Sequence, residues 1–308
     1  MKLKFYLLAL LALPFFMASC SDDDEPQEQE TTNTIVDIAV GNDDFSTLVA
    51  ALQRTNLVAT LQGDGPFTVF APTNAAFEAL GVDLNTISDS ELSNILLYHV
   101  IGGADIKSTD LAEGSNYAST ASASGPNGTQ LSVYVERTGS SVRINNTANV
   151  VTADIDADNG VIHVIDNVIL PLDIVGHAQA NGAFSSLVGA LAGAPGDLVT
   201  VLQGNGPFTV FAPNNAAFAA IADVVATLTP DQLASVLTYH VVSGNVASTA
   251  LTDNMSVTTV NGQDVSVSLA NGAKLIDSAG NESVISFTDV QATNGIIHVI
   301  ESVIIPNL

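Results

Sequence analysis

Hydrophobic residues recur with two different periods along this chain, and the change of period separates predicted helices from predicted strands. The spacing i, i+3, i+4 and i+7 of one helical face is met by Leu92, Ile95, Leu96 and His99. In the segment 131–135 a hydrophobic residue recurs instead at every second position, as in a half-buried strand. We therefore predict a mixed structure in which helices precede hairpins.

Capping residues and glycines set the expected limits of these elements. Ser88 and Thr229 each stand three residues before Glu or Gln, which is the spacing of a capping box at a helix start. Gly102 and Gly244 predict where the same helices end. We expect a first buried strand over 67–70. The strands that close each half are expected over 161–170 and 296–305.

Three blocks of sequence occur twice in the same order. The repeated pairs are GPFTVFAPTNAAF (65–77) with GPFTVFAPNNAAF (206–218), LLYHV (96–100) with LTYHV (237–241), and NGVIHVIDNVILP (159–171) with NGIIHVIESVIIP (294–306). A set of blocks that returns in order predicts two copies of one structural module. Within the first block, either Thr73 or Asn74 is expected to cap a short helix that follows the strand.

Length, composition and charge agree with two globular modules and narrow the class of partner. The 308 residues allow about two domains, and a hydrophobic fraction of 47% supplies enough apolar surface for two cores. The chain has 32 acidic and 7 basic residues, a formal net charge of −25. Such a charge repels nucleic acids and anionic lipid headgroups. We therefore expect no nucleic-acid partner.

The first twenty residues have the pattern of a bacterial lipoprotein signal. Lys2 and Lys4 precede an apolar stretch too short to span a bilayer comfortably, and small residues lead to Cys20, the single cysteine. We expect residues 1–19 to be the signal peptide and Cys20 to become the lipid attachment site. An ordinary cleaved signal with an incidental cysteine is the alternative.

An acidic segment follows the cysteine. Residues 20–33 include the run Ser21–Glu25, which is too charged to be buried and is therefore interpreted as a solvated tether. The run also resembles the acidic export tag that carries certain outer-membrane lipoproteins to the cell surface. We expect a protein that is lipid-anchored in the outer membrane and exposed at the surface, with the periplasmic face as the alternative.

The three repeated blocks, in this order and spacing, resemble the fasciclin (FAS1) domain family. The match predicts one domain over 34–171 and a second over 172–308. The resemblance implies an α+β fold of two tandem fasciclin-like modules, each a twisted β-sandwich or wedge flanked by short α-helices. It also implies an extracellular or surface-anchored protein that acts in adhesion and is not an enzyme.

Two tyrosine–histidine pairs are the candidate binding residues. Tyr98-His99 and Tyr239-His240 match the YH pair of the family, which the resemblance links with adhesive binding. The helical spacing places both histidines on the apolar face. A histidine in that position is more often a hydrogen-bonded core residue than a ligand contact. We favour the structural interpretation and keep the binding interpretation as its alternative.

Other candidate chemistry finds little support in the sequence. His163 and His298 lie among β-branched neighbours in the closing strands, where packing explains them, and no spacing demands a zinc site built from His99, His163 and Asp154. The run 154–160 lacks the glycine and glutamate positions of a calcium loop. The motifs GxSxG and HExxH and the phosphate loop are absent from the sequence. We expect no metal, no cofactor and no catalytic residue, although paired carboxylates for sugar hydrolysis stay open because they meet only in space.

The sequence therefore favours a cell-surface, lipid-anchored protein that contacts an extracellular protein or glycan without catalysis, through tandem FAS1 domains. Its expected contact with the membrane is through the lipid anchor only. Two copies of a module raise avidity where both engage one surface. The alternative is an accessory component of an envelope polysaccharide-processing complex, either enzymatic or a structural spacer.

Overall fold

The computed structural model describes residues 33–308, in which one order of elements occurs twice. The predicted signal peptide, Cys20 and most of the acidic tether lie outside the described residues. Within residues 33–308, no helix is both long and apolar enough to cross a membrane. The half that ends at Pro171 is called module 1 below, and the half that begins at Leu172 is called module 2.

Module 1 contains five α-helices and seven strands. The helices are α1 (Ile35–Val40), α2 (Ser46–Arg54), α3 (Val58–Leu61), α4 (Asn74–Leu80) and α5 (Asp89–Tyr98). The strands are β1 (Phe67–Pro72), β2 (Val100–Gly102), β3 (Gly114–Ser119), β4 (Ser132–Thr138), β5 (Ser141–Ile144), β6 (Ala148–Ala157) and β7 (Gly160–Ile165). Short 3-10 turns lie at Asp43–Phe45, Leu84–Thr86 and Pro126–Gly128.

Module 2 repeats this plan with one additional short helix. The helices are α6 (Ile174–Ala180), α7 (Ser185–Gly193), α8 (Leu198–Gln203), α9 (Asn215–Ala220), α10 (Ala222–Val225) and α11 (Pro230–Tyr239). The strands are β8 (Phe208–Pro213), β9 (Val241–Ser243), β10 (Ser256–Thr258), β11 (Asp264–Ser268), β12 (Lys274–Ile276), β13 (Glu282–Ala292) and β14 (Gly295–Ile300). Its 3-10 turns are Gly182–Phe184 and Ser248–Ala250.

Each module is built on one seven-stranded sheet with the same strand order. In module 1 the order is β2-β1-β7-β6-β5-β4-β3, and module 2 has the equivalent order β9-β8-β14-β13-β12-β11-β10. The neighbouring strands are antiparallel except for β1 with β7 and β8 with β14, which are parallel. The parallel pair therefore joins the first strand of each module to the last strand of the same module.

Two apolar layers hold each module together. In module 1 the helices pack on one face of the central strands, where Phe45 and Leu92 share a cluster with Ile162. On the other face the sheet folds back on itself, so that Phe70 of β1 clusters with Val133 of β4. Module 2 has the same two layers. The α+β prediction of a sandwich flanked by short helices is therefore confirmed.

The first repeated block forms a strand and a capped helix, as expected, but its strand is longer than predicted. β1 continues through Ala71 and Pro72, which pair with Val164 and Ile165 of β7. The proline ends the strand without breaking it, since it occupies the last paired position. Of the two candidate caps, Thr73 is the one used: its side chain accepts a hydrogen bond from the backbone N–H of Ala76.

The helices that carry the YH pairs begin at the predicted caps but end earlier than the glycines suggest. α5 ends at Tyr98 and α11 at Tyr239, and the chain then enters the edge strands β2 and β9 at once. Gly102 is the last residue of β2, where it pairs with Phe67. The prediction of helix ends near Gly102 and Gly244 is wrong because antiparallel pairing with the first strand of the module replaces the last helical turn.

The closing strands are also shorter than predicted. β7 ends at Ile165 and β14 at Ile300, five residues before the predicted ends. Asp166 leaves the sheet and accepts hydrogen bonds from the backbone and side chain of Asn149. The residues that follow pack beneath the YH helix, with Ile169 fully buried. The predicted strands are too long because the residues that follow include buried hydrophobic side chains, although these residues do not pair in the sheet.

Candidate functional site

The tyrosines of the two YH pairs are buried and connect a helix to the folded-back part of the sheet. Tyr98 donates a hydrogen bond from its hydroxyl to the carbonyl oxygen of Ser132 at 2.9 Å and accepts one from the Asn145 amide at 3.0 Å. Burial raises the pKa of the Tyr98 hydroxyl well above its ordinary value. Tyr239 makes the equivalent bond to the carbonyl oxygen of Asp264 at 2.7 Å. Both tyrosines have no exposed surface.

The histidines of the pairs are held through both ring nitrogens. In His99, Nε2 accepts a hydrogen bond from the backbone N–H of Ile169 at 3.1 Å, which leaves Nδ1 to donate to the carbonyl oxygen of Ile95 at 2.7 Å. The ring is 2% exposed, and burial lowers its pKa to about 4. His240 has the same two contacts with Val236 and Ile304.

These contacts decide what the YH pairs can do. Each histidine joins the end of a helix to the last segment of its own module, and each tyrosine joins that helix to a strand. With both nitrogens engaged and the rings buried, the histidines offer no ligand contact or metal coordination. The geometry therefore supports a structural role for Tyr98, His99, Tyr239 and His240.

The structure brings together a serine, an aspartate and a histidine that lie far apart in the sequence. Ser108 donates from Oγ to Asp154 Oδ2 at 2.5 Å and from its backbone N–H to Asp154 Oδ1 at 2.7 Å. Asp154 Oδ1 lies 3.9 Å from Nδ1 of His163. Module 2 repeats the arrangement with Ser248, Asp289 and His298. Sequence reasoning missed this cluster, because only the tertiary fold brings the loop after β2 onto β6 and β7.

The polarity of these hydrogen bonds does not suit a nucleophile activated by a base. The Ser108 hydroxyl proton points at the carboxylate and not at the imidazole. His163 accepts from the backbone N–H of Asp154 through Nδ1 at 3.3 Å and donates from Nε2 to the carbonyl oxygen of Ile106 at 2.8 Å. Catalysis would need the histidine to accept the serine proton. The cluster instead fastens the loop after β2 to the sheet.

The charge state of the cluster agrees with this structural role. Burial by itself raises the pKa of the Asp154 carboxyl, but the two hydrogen bonds from Ser108 outweigh burial, and the pKa lies below its ordinary value. The carboxylate therefore stays ionised as an acceptor. Across residues 33–308, no group of three or more His, Cys, Asp or Glu side chains is arranged to hold a metal ion.

The two modules meet in a contact that combines hydrogen bonds with aromatic packing. The backbone N–H of Gln291 in module 2 donates to Ser132 Oγ in module 1 at 2.9 Å, and this bond is buried. The amide of Asn181 donates to the hydroxyl of Tyr117 at 3.0 Å. The Tyr117 ring also packs against Phe287 of module 2, with centroids 5.5 Å apart. Residues 33–308 accordingly form one compact unit.

Comparison with known proteins identifies a family for both modules. The model of the Fasciclin domain matches residues 43–171 and 182–306. Among solved structures, a FAS1 domain pair from the insect cell adhesion molecule Fasciclin I has a TM-score of 0.52 at 19% identity. The alignment covers 87% of this chain and 98% of that structure. The likeness therefore includes the tandem pair as well as the single module.

Curated relatives match one module or both. Protein sll1483 of Synechocystis is 42% identical over 151 residues, which are 46% of this chain and 76% of the relative. The transforming growth factor-beta-induced protein ig-h3 of Sus scrofa is 29% identical over 256 residues, which are 80% of this chain and 36% of the relative. The chain thus spans about a third of this larger animal relative.

Proposed function

Because the chain belongs to the fasciclin domain family and carries two tandem copies of the domain, we propose that it is an adhesion and binding protein of the cell exterior. Its ligand is an extracellular or surface protein or glycan, bound without turnover. The domain pair with the matching fold comes from a cell adhesion molecule, which supports this class of function. The observation that carries the proposal is the match of both modules to the fasciclin domain. The buried hydrogen bond between Gln291 and Ser132 joins the two modules to each other.

The internal geometry supports binding without catalysis. The motif residues that the two modules share are used within the fold: the YH pairs through their hydrogen bonds and the Ser108, Asp154 and His163 cluster through its own. Contact with a ligand is therefore assigned to exposed loops, which vary between the modules and tolerate insertion. A rigid pair of modules gains avidity when both engage one surface, because the second contact needs no further ordering.

A lipid anchor completes the proposal for location. We place the modules on the outer membrane through acylated Cys20 and the acidic tether, with the net charge of −25 discouraging contact with anionic headgroups and nucleic acid. Growth with a labelled fatty acid tests the anchor: the wild type is expected to incorporate label, and Cys20→Ala to incorporate none. Protease treatment of intact cells tests the face, since protection of the modules would contradict surface exposure.

The binding proposal is tested with the purified protein on an array of extracellular proteins and glycans. We expect saturable binding to one ligand class, with the ligand recovered chemically unchanged after incubation. A product of altered mass would contradict non-catalytic binding. Failure to bind on the array, together with stoichiometric co-purification of a polysaccharide-processing enzyme from solubilised envelopes, would favour the accessory role instead.

A further inference from the structure

Module 1 contains a cavity that lies beside Ser108 and His163. Its volume is about 310 Å³, within the range of ligand pockets, and it lies between the central strands, the strands β3 to β5 and the loop after β2. Its apolar wall includes Tyr117 and Ala118 of β3 together with Phe70, Ile101, Ile106, Leu111, Val135 and Val142. Asp110 and Ser108 stand on the side of the loop, where Asp110 is exposed.

The polar groups of the wall are already hydrogen-bonded to the protein. Thr68 Oγ1 donates to a backbone carbonyl oxygen at 2.9 Å and accepts from a backbone N–H at 2.8 Å. The Asn116 amide donates to carbonyl oxygens of its own turn, and Ser108 and His163 have the partners described above. Water in such a cavity finds few partners, because ordered water needs two to four hydrogen bonds. The wall is therefore better matched to an apolar molecule.

Charge and size narrow the class of molecule further. The Asp110 carboxylate stands at the rim, and the whole chain has a net charge of −25, so an anionic head group is repelled. A cavity of about 150 Å³ accepts a single benzene ring, and this one is about twice that size. We propose that module 1 binds an uncharged apolar molecule of roughly two aromatic rings, such as a bicyclic aromatic compound.

The repeat provides an internal comparison that assigns the site to module 1. Ala118 pairs with Val133 on β4, and Val257 pairs with Val265 at the equivalent register of module 2. Beyond these strands, the backbone N–H of Ala121 donates to the carbonyl oxygen of Val100. The backbone N–H of Val260 donates equivalently to the carbonyl oxygen of Val241, which confirms the register. Module 2 thus has Val257 where module 1 has Ala118. Val257 packs against the apolar cluster on the folded-back face of the module 2 sheet. A small side chain at position 118 therefore helps to leave the space open.

The site is tested with the fluorescent probe N-phenyl-1-naphthylamine, which is uncharged and has the expected size. We expect saturable binding of one probe per protein molecule. The anionic probe 1-anilinonaphthalene-8-sulfonate has the same rings with a sulfonate group added, and we expect it to bind more weakly by about tenfold or more. Equal affinity for the two probes would contradict an uncharged ligand, and lack of saturable binding by the uncharged probe would overturn the site.

Two leucine variants on one strand locate the probe. Ala118→Leu extends into the cavity and is expected to weaken binding of N-phenyl-1-naphthylamine by about tenfold or more. Ser119→Leu adds a comparable side chain at the exposed neighbouring position and is expected to leave binding unchanged. Unchanged affinity in a folded Ala118→Leu protein would overturn the proposal. If that variant fails to fold, Ala118→Val takes its place, because module 2 folds with valine there.

A measurement on the unmodified protein gives an independent check. Methyl NMR spectra with and without N-phenyl-1-naphthylamine are expected to show shifts at Ile106 and Leu111, which line the cavity, and none at Val267 in module 2. Shifts of similar size in both modules would contradict a specific site in module 1. This comparison needs no variant and is independent of adhesion, so its outcome does not depend on the function proposed above.

Discussion

At the scale of single residues, His99 and His240 show that a sequence pattern can predict burial but not the distant bonding partner. Spacing along the helix predicted that both rings face the core, and both are buried. Their bonding partners Ile169 and Ile304 lie 70 and 64 residues away, so spacing within the helix could not identify them. The same limit applies to Ser108, whose partner Asp154 is 46 residues distant and was considered only as a metal ligand.

Removing a YH histidine should lower stability. His99→Ala leaves the backbone N–H of Ile169 without its acceptor and creates a cavity in a buried position. We expect the free energy of unfolding to fall by about 3 kcal/mol or more, since an unsatisfied buried group costs about 1–3 kcal/mol before the lost packing is added. Urea unfolding measures the change, and His240→Ala is the matched variant in module 2. A His99→Ala protein that unfolds at the wild-type urea concentration would contradict the structural role.

Buried histidines should also make stability depend on pH. Burial lowers the pKa of His99, His177 and His240 to about 4, whereas the unfolded chain binds these protons near 6.5. Between these values the unfolded state holds more protons, so stability is complete above pH 6.5 and decreases as the pH falls toward 4. Each histidine contributes at most about 1.4 kcal/mol per pH unit.

Urea unfolding at pH 7 and pH 5 measures this loss, and we expect a lower midpoint at pH 5. NMR of the imidazole resonances identifies its source. The resonances of His99, His177 and His240 should not titrate between pH 7 and pH 5 in the folded protein. Titration of these rings near pH 6.5 would contradict their burial as neutral groups.

At the scale of elements, the repeated Asn-Gly pair organises the parallel strands. The Asn159 side chain accepts from the backbone N–H of Ile35 at 3.0 Å and donates to the carbonyl oxygens of Leu61 and Gly63. Asn294 makes the same three contacts in module 2. In sequence, an Asn-Gly pair is typical of a tight turn between two strands. Its role as the junction of the first helix, the loop before β1 and the last hairpin depends on contacts across the whole module.

Gly160 should tolerate no side chain. Its φ is +153°, and a Cβ there would lie 2.0 Å from the carbonyl oxygen of Phe67, which is backbone and cannot move aside. We expect Gly160→Ala to lower the free energy of unfolding by more than about 2 kcal/mol. Gly102→Ala is the matched control, because a Cβ at that position meets no atom within 4 Å. Equal urea midpoints for the two variants would contradict the close approach of β1 and β7.

The errors in predicted element ends have one physical cause. Apolar residues continue up to Gly102 and up to Pro171, so the sequence predicts a helix and a strand that extend to these positions. In the structure α5 stops at Tyr98 because pairing of β2 with β1 begins directly afterwards. β7 stops at Ile165 because the next residues pack under the helix instead. Element type followed from local periodicity, whereas element length depended on tertiary pairing.

At the scale of the whole molecule, the two modules are joined by more than their covalent linker. The repeat predicted two modules in tandem, and the family match bears this out. The contact between them involves Tyr117, Ser132 and Asn181, which no repeated block contains. A self-comparison of the sequence reveals what the modules share, and an interface between unlike faces of the two copies is not shared. The repeated blocks therefore could not predict this interface.

The module contact should weaken when its buried acceptor is removed. Ser132→Ala leaves the backbone N–H of Gln291 without a partner, and we expect a loss of about 1–3 kcal/mol in the free energy of unfolding. Hydrogen exchange of the Gln291 amide should become faster. Ser141→Ala, at an exposed position of β5, serves as the control and should change neither quantity. An unchanged exchange rate at Gln291 in Ser132→Ala would contradict the interface.

We propose that the joined pair of fasciclin modules binds partners at the cell exterior. Attachment of beads coated with the purified protein to cells, matrix proteins and polysaccharides tests this claim most directly. We predict saturable attachment to at least one of these surfaces and competition by free protein, with uncoated beads as the control. Coated beads that attach to every surface no better than uncoated beads would contradict the account.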